Sequence, residues 1–330
     1  IGGQQLSTCT TQLMAIDTTS HSVGVNNSSY WLKNPIKKKL AYHLPTFIRN
    51  HNITTVIMID FPNYNFFIAN IIQPLNCRII TFITPNFWIW NHIKLAKKLI
   101  AYSDVIIPIF KQEYELYSRL APSKTHYFGH PITLSIPTNE TSAAIQPIIG
   151  LFPGSRISEI SHHLPKMCAV IKQLRQPLQI RIYCENHSLE SLIKKILSKW
   201  SLSDIPIESQ HPSNIALALS APGTTTLRLA LQKTPMVIFG QLHWLKYCIA
   251  RYVLRYKIPF VGLPNIILQK KVCPEYIQNT TPISEIIYDI ETLIQNQKKR
   301  QCMIDQLSTI NEHLDTSSTY YEDICKIIVN

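Results

Sequence analysis

LFPGSRISEISHHLPKM, Leu151 to Met167, opens apolar, turns at Pro153-Gly154, presents a hydroxyl and a guanidinium at Ser155 and Arg156, and then becomes helical in pattern. Upstream the apolar entry extends as PIIGLF (Pro147–Phe152), a short run of the kind that forms a strand covered on both faces. Six more such runs occur: TVIMID (Thr55–Asp60), RIITFI (Arg78–Ile83), DVIIPI (Asp104–Ile109), LQIRIYC (Leu178–Cys184), IALALS (Ile215–Ser220) and PMVIFG (Pro235–Gly240). Helix-patterned segments lie between several of them. SHHLPKMCAVIKQL follows one run and TTTLRLALQK precedes another. HSLESLIKKILSKW carries Leu189, Leu192, Ile193, Ile196, Leu197 and Trp200 on one stripe. This alternation predicts an α/β fold with parallel sheets.

PITLSIPTNETSAAIQP (Pro131–Pro147) has no firm period and reads as a linker between two α/β halves. From about Ile283 onward the pattern is helical and polar. The chain of 330 residues is therefore expected to divide into an N-terminal domain over 1–140, a second over 141–282 and C-terminal helices over 283–330, which are expected to pack back on the first.

Charged residues make up 16% of the chain, yet no apolar run reaches spanning length, so no transmembrane helix is expected. No basic region precedes an apolar one at the start, so no signal peptide is expected. The net charge of +12 favours polyanions, anionic membrane surfaces or phosphorylated small molecules. Zinc-finger spacing, an aromatic RNA-binding signature and a dense Lys/Arg tract are all missing, so nucleic acid is not an expected partner. Eight dispersed cysteines without a CxxC pair suit a reducing cytosol. No HExxH or similar spacing suggests a metal. The first residue is Ile1 rather than Met, which suggests part of a longer product.

Nine glycines are few, and four stand beside polar residues after strand-like runs: Gly129-His130, Gly154-Ser155-Arg156, Gly223-Thr224-Thr225 and Gly262. Gly154 and Gly223 fall where a strand gives way to a helix. Unpaired N–H groups at such a turn favour a phosphate, and Arg156 can add a bidentate contact. Thr224 or Thr225 can cap the helix and also donate. A plain capped turn is the competing reading of the same residues.

IDFPNYN (Ile59–Asn65), PNFWIW (Pro85–Trp90), FGHP (Phe128–Pro131), LFPGSRISEI (Leu151–Ile160), PGTTTLRLALQKTPMVI (Pro222–Ile238) and FVGLPNIIL…PEYIQ (Phe260–Gln278) form an ordered series. Together they resemble the lipid-A-disaccharide synthase family, from Gly2-Gly3 to about Gln278. The resemblance implies a GT-B glycosyltransferase, with two Rossmann-like domains of parallel sheet facing across a cleft. It implies a UDP-linked diacylglucosamine donor, a diacylglucosamine 1-phosphate acceptor, an inverted β-1,6 disaccharide product and released UDP. No cofactor or metal is implied. The place of action would be the cytoplasmic face of a bacterial inner membrane.

Carried over by residue, the resemblance implies Asp60 as candidate general base and His130 as a second catalytic group. Gly154, Ser155, Arg156, Gly223, Thr224, Thr225, Asn265, Glu275 and Gln278 would serve the donor. On the residues alone, Asp60 is equally a turn-forming Asp, His130 a satisfied histidine, and Glu275 with Gln278 a helix start after Pro274. Both implied substrates carry acyl chains. Read as a helix, LHWLKYCIARYVLRYK (Leu242–Lys257) puts Lys246, Arg251 and Arg255 on a basic half opposite an aromatic-rich one, with Trp244 among its residues. Trp88 and Trp90 are the second candidate for acyl or membrane contact. Core packing is the alternative for both, and the sequence leaves a homo-oligomer open.

The chain departs from the family pattern in places. The family's opening strand and GEASGD-like loop precede the segment matched by Gly2-Gly3, so the chain reads as a fragment or one piece of a larger chain. Pro222 and Arg228 stand where the family has Ser and Glu, and Asn86 and Asn91 where it has Ser and Arg. Competing readings are another GT-B enzyme acting on a UDP-sugar and a non-catalytic remnant that binds nucleotide or membrane.

Overall fold

The computed structural model describes residues 35–60, 62–85, 93–135, 148–175, 178–209, 215–240, 260–278, 280–314 and 316–329. The protein is mixed α/β with parallel sheets, as the alternating pattern predicts, and divides into two compact units.

Unit 1 holds most of residues 1–127 together with Ile327–Asn330. Helix α1 (Pro35–Asn50) precedes β1 (Thr55–Ile59), α2 (Pro62–Ile72), β2 (Arg78–Phe82), α3 (Ile93–Tyr102), β3 (Val105–Ile107) and α4 (Lys111–Leu120). The strands lie in the order β1-β2-β3, all parallel, with Ile57 opposite Ile80 and Phe82 opposite Ile107. Leu44 and Ile48 of α1 pack with Ile68 and Ile72 of α2 against Met58 and Ile79 of the sheet. A second cluster joins Ala96 and Leu99 of α3 to Ile106 and Tyr117. Among the described residues β1 is an edge strand, and its Ile57 and Ile59 are exposed. Arg78 Nη1 donates to the carbonyl of Ile328 at 3.2 Å, which places the end of the chain in this unit.

Unit 2 holds Phe128–Lys326 and Ile109–Lys111. Its order is β4 (Ile148–Phe152), α5 (Ile157–Ile171), β5 (Gln179–Tyr183), α6 (Glu190–Lys199), β6 (Ile207–Glu208), β7 (Leu217–Ser220), α7 (Thr224–Leu231), β8 (Met236–Gly240), α8 (Leu263–Leu268) and β9 (Glu275–Ile277). Helices α9 (Ile283–Gln295), α10 (Gln297–Ser308), α11 (Ile310–Leu314) and α12 (Tyr320–Val329) follow. The stripe on α6 faces inward at Ile193 and Leu197. Helix α5 runs through Pro165, which gives up one backbone bond. All five residues of β4 and all five of β8 are buried, as continuous Ile/Val/Leu runs require.

All seven expected strands form, each shortened at one or both ends. Two strands were not expected. β6 is two residues long, and β9 contains Glu275, so the reading of Glu275 and Gln278 as a helix start does not hold. Pairing with β8 makes β9 extended: Ile238 lies opposite Glu275 and Gly240 opposite Ile277.

Candidate functional site

The six strands of unit 2 lie in the order β6-β5-β4-β7-β8-β9. The chain steps outward from β4 through β5 to β6, then returns to the other flank of β4 with β7. Such a reversal opens a crevice at the carboxyl ends of the two central strands, where open parallel sheets take their ligands. The register sets Phe152 opposite Ser220, and the Ala221 N–H donates to the Phe152 carbonyl at 2.8 Å. The Gly154 turn and the Gly223 turn are thereby neighbours.

At the first turn Gly154 has φ +116°, a conformation that favours glycine. A Cβ there would lie 2.6 Å from both Cβ and Oε2 of Glu159. The close approach that requires glycine is therefore made by Glu159. Its Oε2 accepts the Ser155 N–H at 3.0 Å, and its Oε1 lies 2.8 Å from Arg156 Nη1. Arg156 itself is 62% exposed. His163, buried on α5, brings its Nδ1 to 3.2 Å from the Pro153 carbonyl and holds the turn from below. Burial lowers the His163 pKa.

At the second turn Gly223 has φ +148°, with open space where a Cβ would stand. No side chain caps α7 here. Thr226 turns back instead, and both its N–H and its hydroxyl donate to the Gly223 carbonyl, at 3.1 and 2.7 Å. Thr224 is exposed and Thr225 half-buried. One turn further along α7, Arg228 Nη1 lies 3.1 Å from Oε1 of Glu185, which follows β5.

Asn265 and Glu275 form a different kind of structure. Asn265 is fully buried, and its Nδ2 donates to the Cys273 carbonyl and to Glu275 Oε1 at 2.8 and 2.7 Å. Its Oδ1 accepts the N–H groups of Val272 and Cys273 at 2.8 and 2.9 Å. All four positions of the amide are thus taken by the chain itself. Glu275 also accepts from Val261 and Gly262 N–H at 2.8 and 2.9 Å. Burial raises the Glu275 pKa despite these donors and Lys271, which act the other way. The pair stitches β9 to the Gly262 turn. Gln278 sits at φ +60° beyond β9, and its carbonyl receives Lys166 Nζ at 2.6 Å. Lys166 rises from α5 over the Phe239 ring, and burial lowers its pKa.

His130 is buried at 5% exposure beside Phe110, with ring centroids 5.0 Å apart. Its Nδ1 accepts the Ile132 N–H at 3.1 Å, so the ring proton resides on Nε2. Desolvation pushes its pKa down to about 4. Thr316 brackets its backbone, accepting from His130 N and donating to His130 O at 3.1 and 3.0 Å.

In unit 1, Asp60 ends β1 with φ +44°. Its N–H is shared between the carbonyls of Phe82 and Ile83 at 3.2 Å each, and the Asn65 amide donates to its carbonyl. Ile83, ending the neighbouring strand, has φ +62°, which is rare for a β-branched residue. Asp60 is exposed and borders a small cavity with Asn65, Thr81, Tyr102 and Ser103. Trp88, Trp90, Trp244, Lys246, Arg251 and Arg255 lie outside the described residues. Among the described residues no cluster of His, Cys, Asp and Glu could hold a metal, and no helix is long and apolar enough to cross a membrane.

The sequence brought out the two glycine turns and Arg156. Glu159, Glu185 and Lys166 went unassigned. Glu159 lay in plain view four residues after Ser155, the spacing at which a helical carboxylate meets the preceding turn.

The sequence model of lipid-A-disaccharide synthetases matches residues 2–328. A lipid-A-disaccharide synthase of Coxiella burnetii (strain CbuG_Q212) is 28% identical over 287 residues, covering 83% of this chain and 75% of the relative. Lipid-A-disaccharide synthase 1 of Legionella pneumophila (strain Lens) is 29% identical over 336 residues, covering 96% and 85%. Among solved structures, the S. aureus MnaA–UDP co-structure aligns with TM-score 0.59 at 10% identity, over 88% of this chain and 79% of that one. The UDP-GlcNAc 2-epimerase of Neisseria meningitidis bound to UDP-GlcNAc aligns with TM-score 0.55 at 13% identity, over 92% and 84%. At such identities these neighbours speak for the fold, which is of the GT-B type.

Proposed function

This chain belongs to the lipid-A-disaccharide synthetase family of glycosyltransferases, and we propose that it transfers a diacylglucosamine from UDP to diacylglucosamine 1-phosphate. The acceptor hydroxyl loses its proton to a base and attacks the anomeric carbon. The bond from that carbon to the UDP oxygen breaks, and the configuration inverts. The products are the β-1,6 disaccharide 1-phosphate and UDP.

The observation that carries this reading is the pair of glycine turns at the strand reversal, with Arg156 exposed beside them. Their N–H groups and the guanidinium suit a diphosphate whose charge grows as it leaves. We assign the donor to the domain of residues 141–282, with Gly154, Ser155, Arg156, Gly223, Thr224 and Thr225 around the diphosphate. Asn265 and Glu275 act there by shaping the Gly262 turn, and Gln278 by holding Lys166 near the ends of β8 and β9. The acceptor falls to residues 1–140. Asp60, an exposed carboxylate at a strand end, is the proposed base. His130 serves as a neutral Nε2–H donor. The net charge of +12 and the segment with Trp244, Lys246, Arg251 and Arg255, together with Trp88 and Trp90, support work at an anionic membrane face.

The test incubates the full chain with the UDP-linked diacylglucosamine and diacylglucosamine 1-phosphate, and follows UDP release and product mass. A tetraacyl disaccharide 1-phosphate supports the reading. UDP release with non-acylated acceptors alone points to another UDP-sugar enzyme. UDP binding without turnover points to a nucleotide-binding remnant.

A further inference from the structure

We propose that Glu185, positioned by Arg228, is the carboxylate that receives the ribose hydroxyls of the donor nucleotide. This rests on the reading of unit 2 as the nucleotide site and goes beyond it by naming a residue and a recognised group.

β4, the Gly154 turn, α5 and β5 make one parallel βαβ unit, with Ile148 opposite Gln179 and Leu151 opposite Ile182. When a diphosphate lies over the glycine turn of such a unit, the ribose extends toward the end of the second strand. An acidic side chain at that end commonly takes a ribose hydroxyl. Here β5 ends at Tyr183, and Glu185 stands two residues beyond it, 58% exposed.

Each of the other carboxylates near these strand ends meets groups of its own turn, or of a neighbouring turn or strand. Glu159 accepts Ser155 N–H and faces Arg156. Glu208 lies 2.6 Å from Arg181 Nη1. Glu275 accepts Val261 N–H, Gly262 N–H and the Asn265 amide. The guanidinium that reaches Glu185 comes from α7, the helix whose first turn flanks the crevice on the other side. Arg228 is 37% exposed, and an ion pair so open to water adds little stability. The pair does turn the carboxylate from the end of β5 toward α7. Arg228 has no acceptor for a hydroxyl, whereas a carboxylate offers two acceptor oxygens. Arg228 is thus a positioning residue and Glu185 the ligand contact.

The test measures, by calorimetry on the full chain, the affinities for UDP and for 2′,3′-dideoxy-UDP. Their ratio isolates the hydroxyls, because removing a negative charge from the site changes both nucleotides alike. Two hydroxyls on a carboxylate predict that the unaltered protein favours UDP by roughly 10- to 100-fold. Glu185→Ala is expected to bring the ratio to about one, with dideoxy-UDP affinity no lower than before. Arg228→Ala is expected to shrink the ratio without abolishing it. Melting temperatures should stay within a few degrees for both, since the pair is exposed. An unchanged ratio in Glu185→Ala overturns this inference and leaves the nucleotide site standing, as does equal binding of both nucleotides by the unaltered protein. Failure of the unaltered protein to bind either nucleotide overturns the proposed function, and this inference with it.

Discussion

Oε2 of Glu159 accepts the backbone N–H of Ser155 at 3.0 Å, so one carboxylate of the chain already occupies the turn assigned to the donor diphosphate. The same carboxylate faces Arg156 at 2.8 Å. A bound anion must compete for both donors. Glu159→Gln is therefore expected to weaken the fold by about 1 kcal/mol and to tighten UDP binding severalfold. Urea unfolding and calorimetry read the two effects. Looser UDP binding would instead mean that Glu159 is needed to aim Arg156.

The two glycine turns should differ in their tolerance of a side chain. Gly223→Ala meets only an unfavourable backbone conformation, about 1–3 kcal/mol, because nothing stands within 4 Å of the new Cβ. Gly154→Ala adds a collision with Glu159 at 2.6 Å and should cost more than Gly223→Ala. Equal losses in urea would show that the Glu159 side chain moves aside freely.

Asn265→Ala should damage stability first. It strips partners from Val272, Cys273 and Glu275 inside a buried network, at a cost of about 3–5 kcal/mol. Full stability with lost UDP binding would make Asn265 a direct donor contact.

His130 makes stability depend on pH. Its pKa falls from 6.5 to about 4 on burial. Below pH 6.5 the unfolded chain takes up a proton that the folded ring refuses. The contribution is therefore present above pH 6.5 and lost as the pH falls toward 4. Between pH 7 and 4.5 the loss is about 2 kcal/mol. His163, lowered by the same cause, adds in the same direction. The difference in stability between these two pH values should shrink in His130→Gln. An unchanged difference would place the titration elsewhere.

If Asp60 is the base, Asp60→Asn should lower kcat by roughly 10²- to 10⁴-fold and leave UDP affinity within about twofold. Its backbone bonds to Phe82, Ile83 and Asn65 do not involve the carboxylate. Near-normal turnover would transfer the role to another group.

The sequence by itself determined the parallel α/β layout and the two glycine turns. Strands buried on both faces must be continuous apolar runs, and a turn at positive φ selects glycine, so both leave local marks. β6 and β9 left none, because two or three residues become extended only through a neighbour's backbone bonds. Glu275 and Asn265 read as two separate polar positions until the Gly262 turn folded over them. Arg228 looked like a loss, a cation where a carboxylate was expected. Only the tertiary structure set Glu185 beside it from 43 residues away. Side chains on different strands carry no periodic trace of one another, and sheet order alone decides which of them meet.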